Sequence, residues 1–333
     1  MIKIMKPGLL TSVQDLGRYK YQKYGVIVSG AMDTLSHRIA NLLVGNQENA
    51  ATLEITLLGP VIEFEEDTLI SICGGDLSPA INGEPIRLWR SIFVKKGSLL
   101  SFGACKNGCR AYLAVAGGFK ISNVMESKST YLRAGIGGFK GRALRSGDRL
   151  DSEEPSNLSA QMINRLKNQL GETSFIENDW TVTSDLIPSL QSSPTIRAIK
   201  GRQYHLFTEQ SKDQFLTELF EVTTQSDRMG YRLKGPFLEL GTPTELLSEA
   251  VNFGSIQVPP EGNPIVLLAD RQTTGGYPKI AQIAFADIPL MAQLKPGDSL
   301  RFALVSYEEA ERLFIEREMK LQQLKQGIIL KYL

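Results

Sequence analysis

Leu58-Gly59-Pro60-Val61-Ile62-Glu63-Phe64 recurs 176 residues further on as Lys234-Gly235-Pro236-Phe237-Leu238-Glu239-Leu240. Each copy sets a Gly-Pro step before a short apolar run, the punctuation of a β-strand. Two further blocks keep the same order. Asn82-Gly83-Glu84-Pro85-Ile86 is echoed by Glu261-Gly262-Asn263-Pro264-Ile265 at an offset of 179. Lys96-Gly97-Ser98-Leu99-Leu100-Ser101-Phe102 parallels Pro296-Gly297-Asp298-Ser299-Leu300-Arg301-Phe302 at an offset of 200. Any one block could be coincidence, but three in one order describe an internal repeat with an insertion of about twenty residues around 270–280 of the second copy. Two related β-domains follow, each closed as a barrel or sandwich so that no strand edge is left bare.

The chain around these blocks is mainly β with a few helices. Strand runs are read at 61–64, 68–72, 91–94, 98–102, 111–115, 265–269, 280–285 and 299–305, each bounded by Gly, Pro, Asn or Asp. Residues 33–44 are expected to form a helix, with Leu35, Ile39, Leu42 and Leu43 on one face and Gly45-Asn46 as the stop. A second helix is read near 212–220, where Phe215, Leu216, Leu219 and Phe220 recur at helical spacing. A C-terminal helix starts where Ser306 and Glu309 make a capping box. Residues 151–194 turn Ser-, Asn- and Glu-rich, so the division is 1–150, a connecting segment 151–194 with a short helix near 158–170, and 195–333.

Composition removes several function classes. With 37 Lys+Arg against 36 Asp+Glu, the 333 residues carry a net charge of +1, which offers no basic field for nucleic acid or an anionic membrane. Two histidines and three cysteines provide no evident metal-ligand set. Cys73, Cys105 and Cys109 are too few for a disulfide framework, and no apolar stretch approaches the roughly 20 residues of a spanning helix, so a cytoplasmic location is the expectation. Asn107-Gly108, between two of the cysteines, is read as a hairpin turn.

The densest chemistry lies in the insertion. An apolar strand, Ile265-Val266-Leu267-Leu268-Ala269, delivers Asp270, Arg271, Gln272, Thr273 and Thr274 into Gly275-Gly276-Tyr277-Pro278-Lys279. An acid, a guanidinium, an amide and two hydroxyls beside a Gly-Gly turn suit a carboxylate, carboxamide or phosphate, with glycine letting backbone N–H groups come close. The alternative is a surface turn in which Asp270 and Arg271 pair locally. Asp33 stands either as an acid presented with His37 and Asn41 on the helix face opposite the leucines, or as an N-cap with His37 a solvated neighbour. Arg133, in the glycine-rich run 129–142, and Ser226-Asp227-Arg228-Met229-Gly230-Tyr231-Arg232 are further anion-binding candidates, with an Asp227–Arg228 turn as the structural alternative. There is no Walker A loop and no Rossmann glycine fingerprint.

Taken together, Gly30-Ala31-Met32-Asp33, Ala40-Asn41-Leu42-Leu43-Val44-Gly45-Asn46, Leu53-Glu54-Ile55, Ala114-Val115-Ala116-Gly117-Gly118, Ser226-Asp227-Arg228-Met229-Gly230-Tyr231-Arg232-Leu233 and 270–281 resemble the allophanate hydrolase subunit 2 family, also called the biotin-dependent carboxyltransferase-like family. That resemblance implies two tandem cyclophilin-like β-barrel domains and a protein that works with a partner, the family's B component or KipI-like protein, and with an A component. It implies the C component of an ATP-dependent 5-oxoprolinase, which opens 5-oxo-L-proline to L-glutamate. Two alternatives are a KipI antagonist that sequesters a sporulation-kinase inhibitor without catalysis, and a carboxyltransferase component acting on urea or another amide.

On the first of these implications Asp33 or Asp270 orients the lactam N–H or the water, with Arg271 beside them in the catalytic set. Arg133, Arg228 or Arg271 holds the substrate carboxylate or the transferring phosphate, and Asp227, Gln272, Thr273, Thr274, Gly275, Gly276, Tyr277 and Lys279 shape the pocket. ATP is the expected cosubstrate, at a site that the partner components can share. Met5-Lys6-Pro7 is not a biotinyl-lysine segment, so any biotin arrives on another chain. Where the family often carries arginine before Ser-Thr-Tyr-Leu-Arg, this chain has Lys128, which lacks the bidentate fork.

Overall fold

The computed structural model describes residues 1–242 and 246–332. The chain divides into two compact units. The first comprises Met1–Arg18, Asp33–Pro188 and the helical residues from Met319 onward; the second comprises Tyr19–Met32 and Ser189–Glu318.

Strands of the first unit form two six-stranded sheets. One runs, in spatial order, Arg149–Leu150, Ile2–Lys6, Val61–Phe64, Leu99–Ser101, Ala80–Ile81, Glu84–Pro85; the other Phe175–Glu177, Ser91–Val94, Thr68–Asp76, Asn107–Val115, Thr52–Thr56, Leu10–Gln14. Their inward side chains, among them Ile4, Leu53, Ile62, Phe64, Ile72, Leu100 and Leu113, make one apolar core. Strand Thr68–Asp76 is buried along nearly its whole length, not alternately, because helix α1 (Thr34–Leu43) lies on its other face. The sheet also caps that helix: Ser71 Oγ donates to the Ala40 carbonyl at 2.6 Å and Ser91 Oγ to the Leu43 carbonyl at 2.6 Å, satisfying carbonyls a helix end leaves open.

The second unit closes. Thr195–Lys200, Lys279–Ile283, Ser255–Gln257, Ile265–Leu267, Gly230–Lys234, Phe220–Val222 and Ser299–Leu304 form a seven-stranded barrel, sealed by parallel pairing of the first and last strands. Its core holds Phe215, Phe220 and Phe302, with the Phe215 and Phe302 rings stacked at 4.6 Å. A separate ribbon pairs Glu249–Ala250 with Thr274–Gly275, so the insertion carries a small sheet of its own.

The mainly β, barrel-forming expectation holds; one of the echoed blocks keeps its local form and another keeps it only in part. Gly97 and Gly297, at φ 85° and 90°, turn the chain into strands Leu99–Ser101 and Ser299–Leu304. Val61–Phe64 is a strand, whereas 237–240 contributes only a bridge from Leu240 to Phe207. Three local readings change. Residues 151–188 fold with the first unit: α2 (Asn157–Lys167) is capped by Ser156, and Phe175–Glu177 pairs with Ser91–Val94. The helix near 212–220 is α3 (Glu209–Thr217), started by Thr208 as N-cap, and Phe220 already belongs to a barrel strand. Asn107-Gly108 is no hairpin turn; Asn107 pairs with Asp76 inside a strand whose register then slips, and Gly108 at φ 67° absorbs the irregularity. Two helices follow near the C-terminus, α4 (Ile288–Ala292) and α5 (Tyr307–Tyr332). Among the described residues no helix is long and apolar enough to cross a membrane.

Candidate functional site

The site grows from the end of barrel strand Ile265–Leu267. Beyond the strand the backbone keeps pairing, Leu268 N–H to the Met229 carbonyl at 2.9 Å and Asp270 N–H to the Arg228 carbonyl at 2.8 Å, which sets two sequence-separated candidates side by side. Asp270 then grips Arg228 through two charge-assisted bonds, Nε to Oδ2 at 3.0 Å and Nη2 to Oδ1 at 3.2 Å. Both residues are almost wholly removed from solvent, at 4% and 5% exposure. Arg228 Nη2 also donates to the Gly30 carbonyl at 2.6 Å, tying the Tyr19–Met32 segment to the barrel. Asp270 therefore pairs with Arg228 and not with its neighbour Arg271, and its carboxylate is a structural anchor. A buried pair of this kind is costly to break from either side.

Arg271 is left with a different character. Its guanidinium sits 5.6 Å from the centre of the Phe253 ring, Nη1 reaches the Leu268 carbonyl at 3.3 Å, and Nε is buried with no hydrogen-bond partner among the described residues. Burial lowers its pKa from the usual arginine value, partly offset by the Tyr19 phenol, yet a guanidinium stays charged at neutral pH. A half-buried cation with no carboxylate partner among the described residues has the chemistry to suit an anion. Around it the side chains of Gln272 and Thr274 are exposed and that of Thr273 is half-buried, and none of these three side chains bonds to another described residue.

The rest of the loop is held rigidly, by contacts that sequence alone does not show. Gly275 lies in the ribbon with Glu249, and neither Gly275 nor Gly276 has a left-handed φ, so the expected Gly-Gly turn is absent. Glycine leaves room for the Gln257 amide: a Cβ on Gly275 would stand 2.6 Å from Gln257 Nε2 and displace it. That same amide donates to the Tyr277 carbonyl at 3.3 Å. Lys279 Nζ is committed to Glu249 at 2.7 Å and to the Ala250 carbonyl at 3.2 Å, which makes it a strut for the ribbon. Asp227 folds into an exposed turn, its Oδ1 accepting from Met229 N–H at 2.8 Å.

Two candidates lie in the first unit. Asp33 is the fully buried N-cap of α1, accepting from Ser36 N–H at 3.0 Å and Ser36 Oγ at 2.6 Å, while its own N–H donates to the Tyr112 hydroxyl at 2.8 Å. The helix face opposite the leucines is not solvated: His37 and Asn41 are buried too, and desolvation lowers the His37 pKa to about 4 despite Asp15 and Glu54 nearby. His37 Nδ1 meets Thr52 Oγ1 at 2.9 Å. Arg133 is exposed on its glycine-rich loop.

Sequence reasoning missed a buried polar knot in this unit. Asp15 Oδ1 accepts from Ser127 Oγ at 2.8 Å, from Gly17 N–H at 2.8 Å and from Ser129 Oγ, and Oδ2 accepts from the Lys128 N–H. The fully buried Arg18 donates to the Ser129 carbonyl. The Lys128 side chain points elsewhere, to Glu153 at 3.0 Å and the Phe119 carbonyl. The Ser127-Lys128-Ser129 spacing was the one signal in the sequence, and the left-handed backbone of Met125 and Glu126 before it shows only in the structure. Among the described residues no group of three His, Cys, Asp or Glu side chains gathers where it could share a metal ion.

Comparison with known proteins gives this geometry a family. The chain is 36% identical to the C component of 5-oxoprolinase from Haemophilus influenzae, over 98% of both chains. It is 38% identical to the corresponding 5-oxoprolinase component of Escherichia coli, over 97% of both. The solved urea amidolyase of K. lactis superposes with a TM-score of 0.86 at 31% identity, covering 97% of this chain but only 20% of that much longer one. The family model for the carboxyltransferase domain, subdomains A and B, matches residues 24–304. The chain belongs to the carboxyltransferase domain family.

Proposed function

We propose that the chain acts as the C component of an ATP-dependent 5-oxoprolinase, together with the A and B components, the latter the KipI-like partner. The observation that carries this is the end-to-end likeness to two proteins named as C components of 5-oxoprolinase, with neither chain extending far beyond the other. Arg271 supplies the matching chemistry. The substrate is a lactam carrying one carboxylate, and a cation with an unsatisfied buried N–H orients such a group better than a solvated lysine does. In the reaction the lactam oxygen takes the γ-phosphoryl group of ATP and ADP leaves. Water adds to the activated carbon, the ring C–N bond breaks and the nitrogen takes a proton, leaving a γ-glutamyl phosphate that a second water hydrolyses to glutamate and phosphate. Asp270 acts here as a positioning residue: it fixes Arg228, Gly30 and hence the backbone from which Arg271 projects. Mixing this chain with the A and B components, 5-oxoproline and ATP should yield glutamate, and undiminished turnover without it would refute the proposal.

A carboxyltransferase role is the second reading, favoured by the superposition on urea amidolyase. It calls for the same anion receptor, now facing a carboxylated carrier brought by another chain. Transfer of labelled carboxyl from carboxybiotin to urea, with no glutamate formed, distinguishes it.

A further inference from the structure

Beside the loop lies a cleft of about 660 Å³ in the second unit that the lactam chemistry does not use. Arg232 and Lys234 reach it from alternate positions of one barrel strand, whose Tyr231 and Leu233 belong to the core. Among the described residues neither cation has a carboxylate partner. Thr223 and Thr224 form another part of the lining, and the Thr223 hydroxyl oxygen is buried with no hydrogen-bond partner among the described residues. Glu261 and Tyr277 also line the cleft, and the Tyr277 side chain is 47% exposed.

The geometry points to a nucleoside polyphosphate as the occupant. Two unpaired cations and an orphaned hydroxyl are the donor set for a phosphate chain. A cleft shaped for a bare polyanion would gain nothing from a carboxylate in its lining, whereas a ribose offers Glu261 two hydroxyl donors. The Tyr277 ring gives a base a flat face, and the volume falls in the range of sites that hold molecules of nucleotide size. This assignment rests on the 5-oxoprolinase reading, since it gives the ATP of that reaction a place on this chain. It also couples the two sites, because Tyr277 is tethered by Gln257 at the end of the loop that starts with Arg271.

The test is equilibrium dialysis of the full-length chain with labelled ATP, with tripolyphosphate and adenosine as separate competitors. Saturable ATP binding is expected, weakened at least about tenfold by Arg232→Gln or Lys234→Gln, which remove charge-assisted bonds at exposed positions that leave the core alone. Thr223→Val should weaken it several-fold, and Glu261→Gln should weaken ATP while sparing tripolyphosphate. No saturable binding at millimolar ATP, or variants that bind like the parent, overturns the assignment. Tripolyphosphate binding as tightly as ATP, with Glu261→Gln without effect, overturns the nucleoside part. In the reconstituted complex, Arg232→Gln should raise KM for ATP with kcat little changed. If turnover requires this chain but that KM does not move, the nucleotide site is wrong and the 5-oxoprolinase reading stands. If turnover ignores the chain, the reading itself fails whatever the dialysis shows.

Discussion

Asp270→Ala removes one half of the Asp270–Arg228 pair and leaves a guanidinium at 5% exposure that keeps the Gly30 carbonyl but loses its carboxylate. Two charge-assisted bonds at 3.0 and 3.2 Å disappear. Breaking a buried pair from one side costs about 3–5 kcal/mol, most of it the stranded charge. Removing both partners, as Asp270→Leu with Arg228→Met, strands no charge and should cost about 1 kcal/mol, the order of the lost bond to Gly30. Both tryptophans, Trp89 and Trp180, lie in the first unit, so fluorescence would report on the wrong half. Amide hydrogen exchange in barrel strands Ile265–Leu267 and Gly230–Lys234 is the suitable assay. Exchange through the barrel's cooperative opening should accelerate about 150- to 5,000-fold in either single variant and by about tenfold or less in the double. Single variants within a factor of five of the parent, or a double variant whose loss equals the sum of the singles, would refute the anchor role.

Titration and packing give two more expected outcomes. His37 has an ordinary pKa of 6.5 and a folded value of about 4, so between those limits the unfolded chain binds a proton that the folded one refuses. Stability should therefore fall as pH drops from 6.5 toward 4, by up to about 3 kcal/mol, and His37→Gln should flatten that slope in urea titrations at stepped pH; an unchanged slope contradicts it. Gly275→Ala should push the Gln257 amide away and release the Tyr277 carbonyl, costing about 1 kcal/mol and speeding exchange in the Glu249–Ala250 ribbon, whereas an unaltered ribbon would mean that the room there is not needed.

Much of the framework was legible because it depends on local pattern. Alternating runs became strands, Gly97 and Gly297 turned the chain as their positions imply, and Ser306 starts α5 by accepting from Glu309 N–H at 3.1 Å. What failed depended on tertiary pairing. Asp270 next to Arg271 suggested a local pair, but strand continuation put Arg228, 42 residues away, in front of the carboxylate. The polar face of α1 looked solvated, yet a helix covered on more than one side buries its Asp and His. Position in the chain assigns Tyr19–Met32 to the first domain, and only contacts such as Met32 in the barrel core and Gly30 on Arg228 place it with the second unit. Arg271, read from sequence either as an anion-binding cation or as the local partner of Asp270, has no carboxylate partner among the described residues, because Arg228 occupies Asp270.

The most direct measurement is steady-state glutamate formation by the complex reconstituted from this chain and the A and B components, with Arg271→Met against the parent. Removing a half-buried, unpaired charge should leave the variant as stable as the parent or more so, and still retained with its partners on size-exclusion chromatography. Its kcat/KM for 5-oxoproline should fall at least about 100-fold, the loss of a charge-assisted contact to the substrate carboxylate. A stable, partner-bound Arg271→Met variant with undiminished kcat/KM would contradict the account.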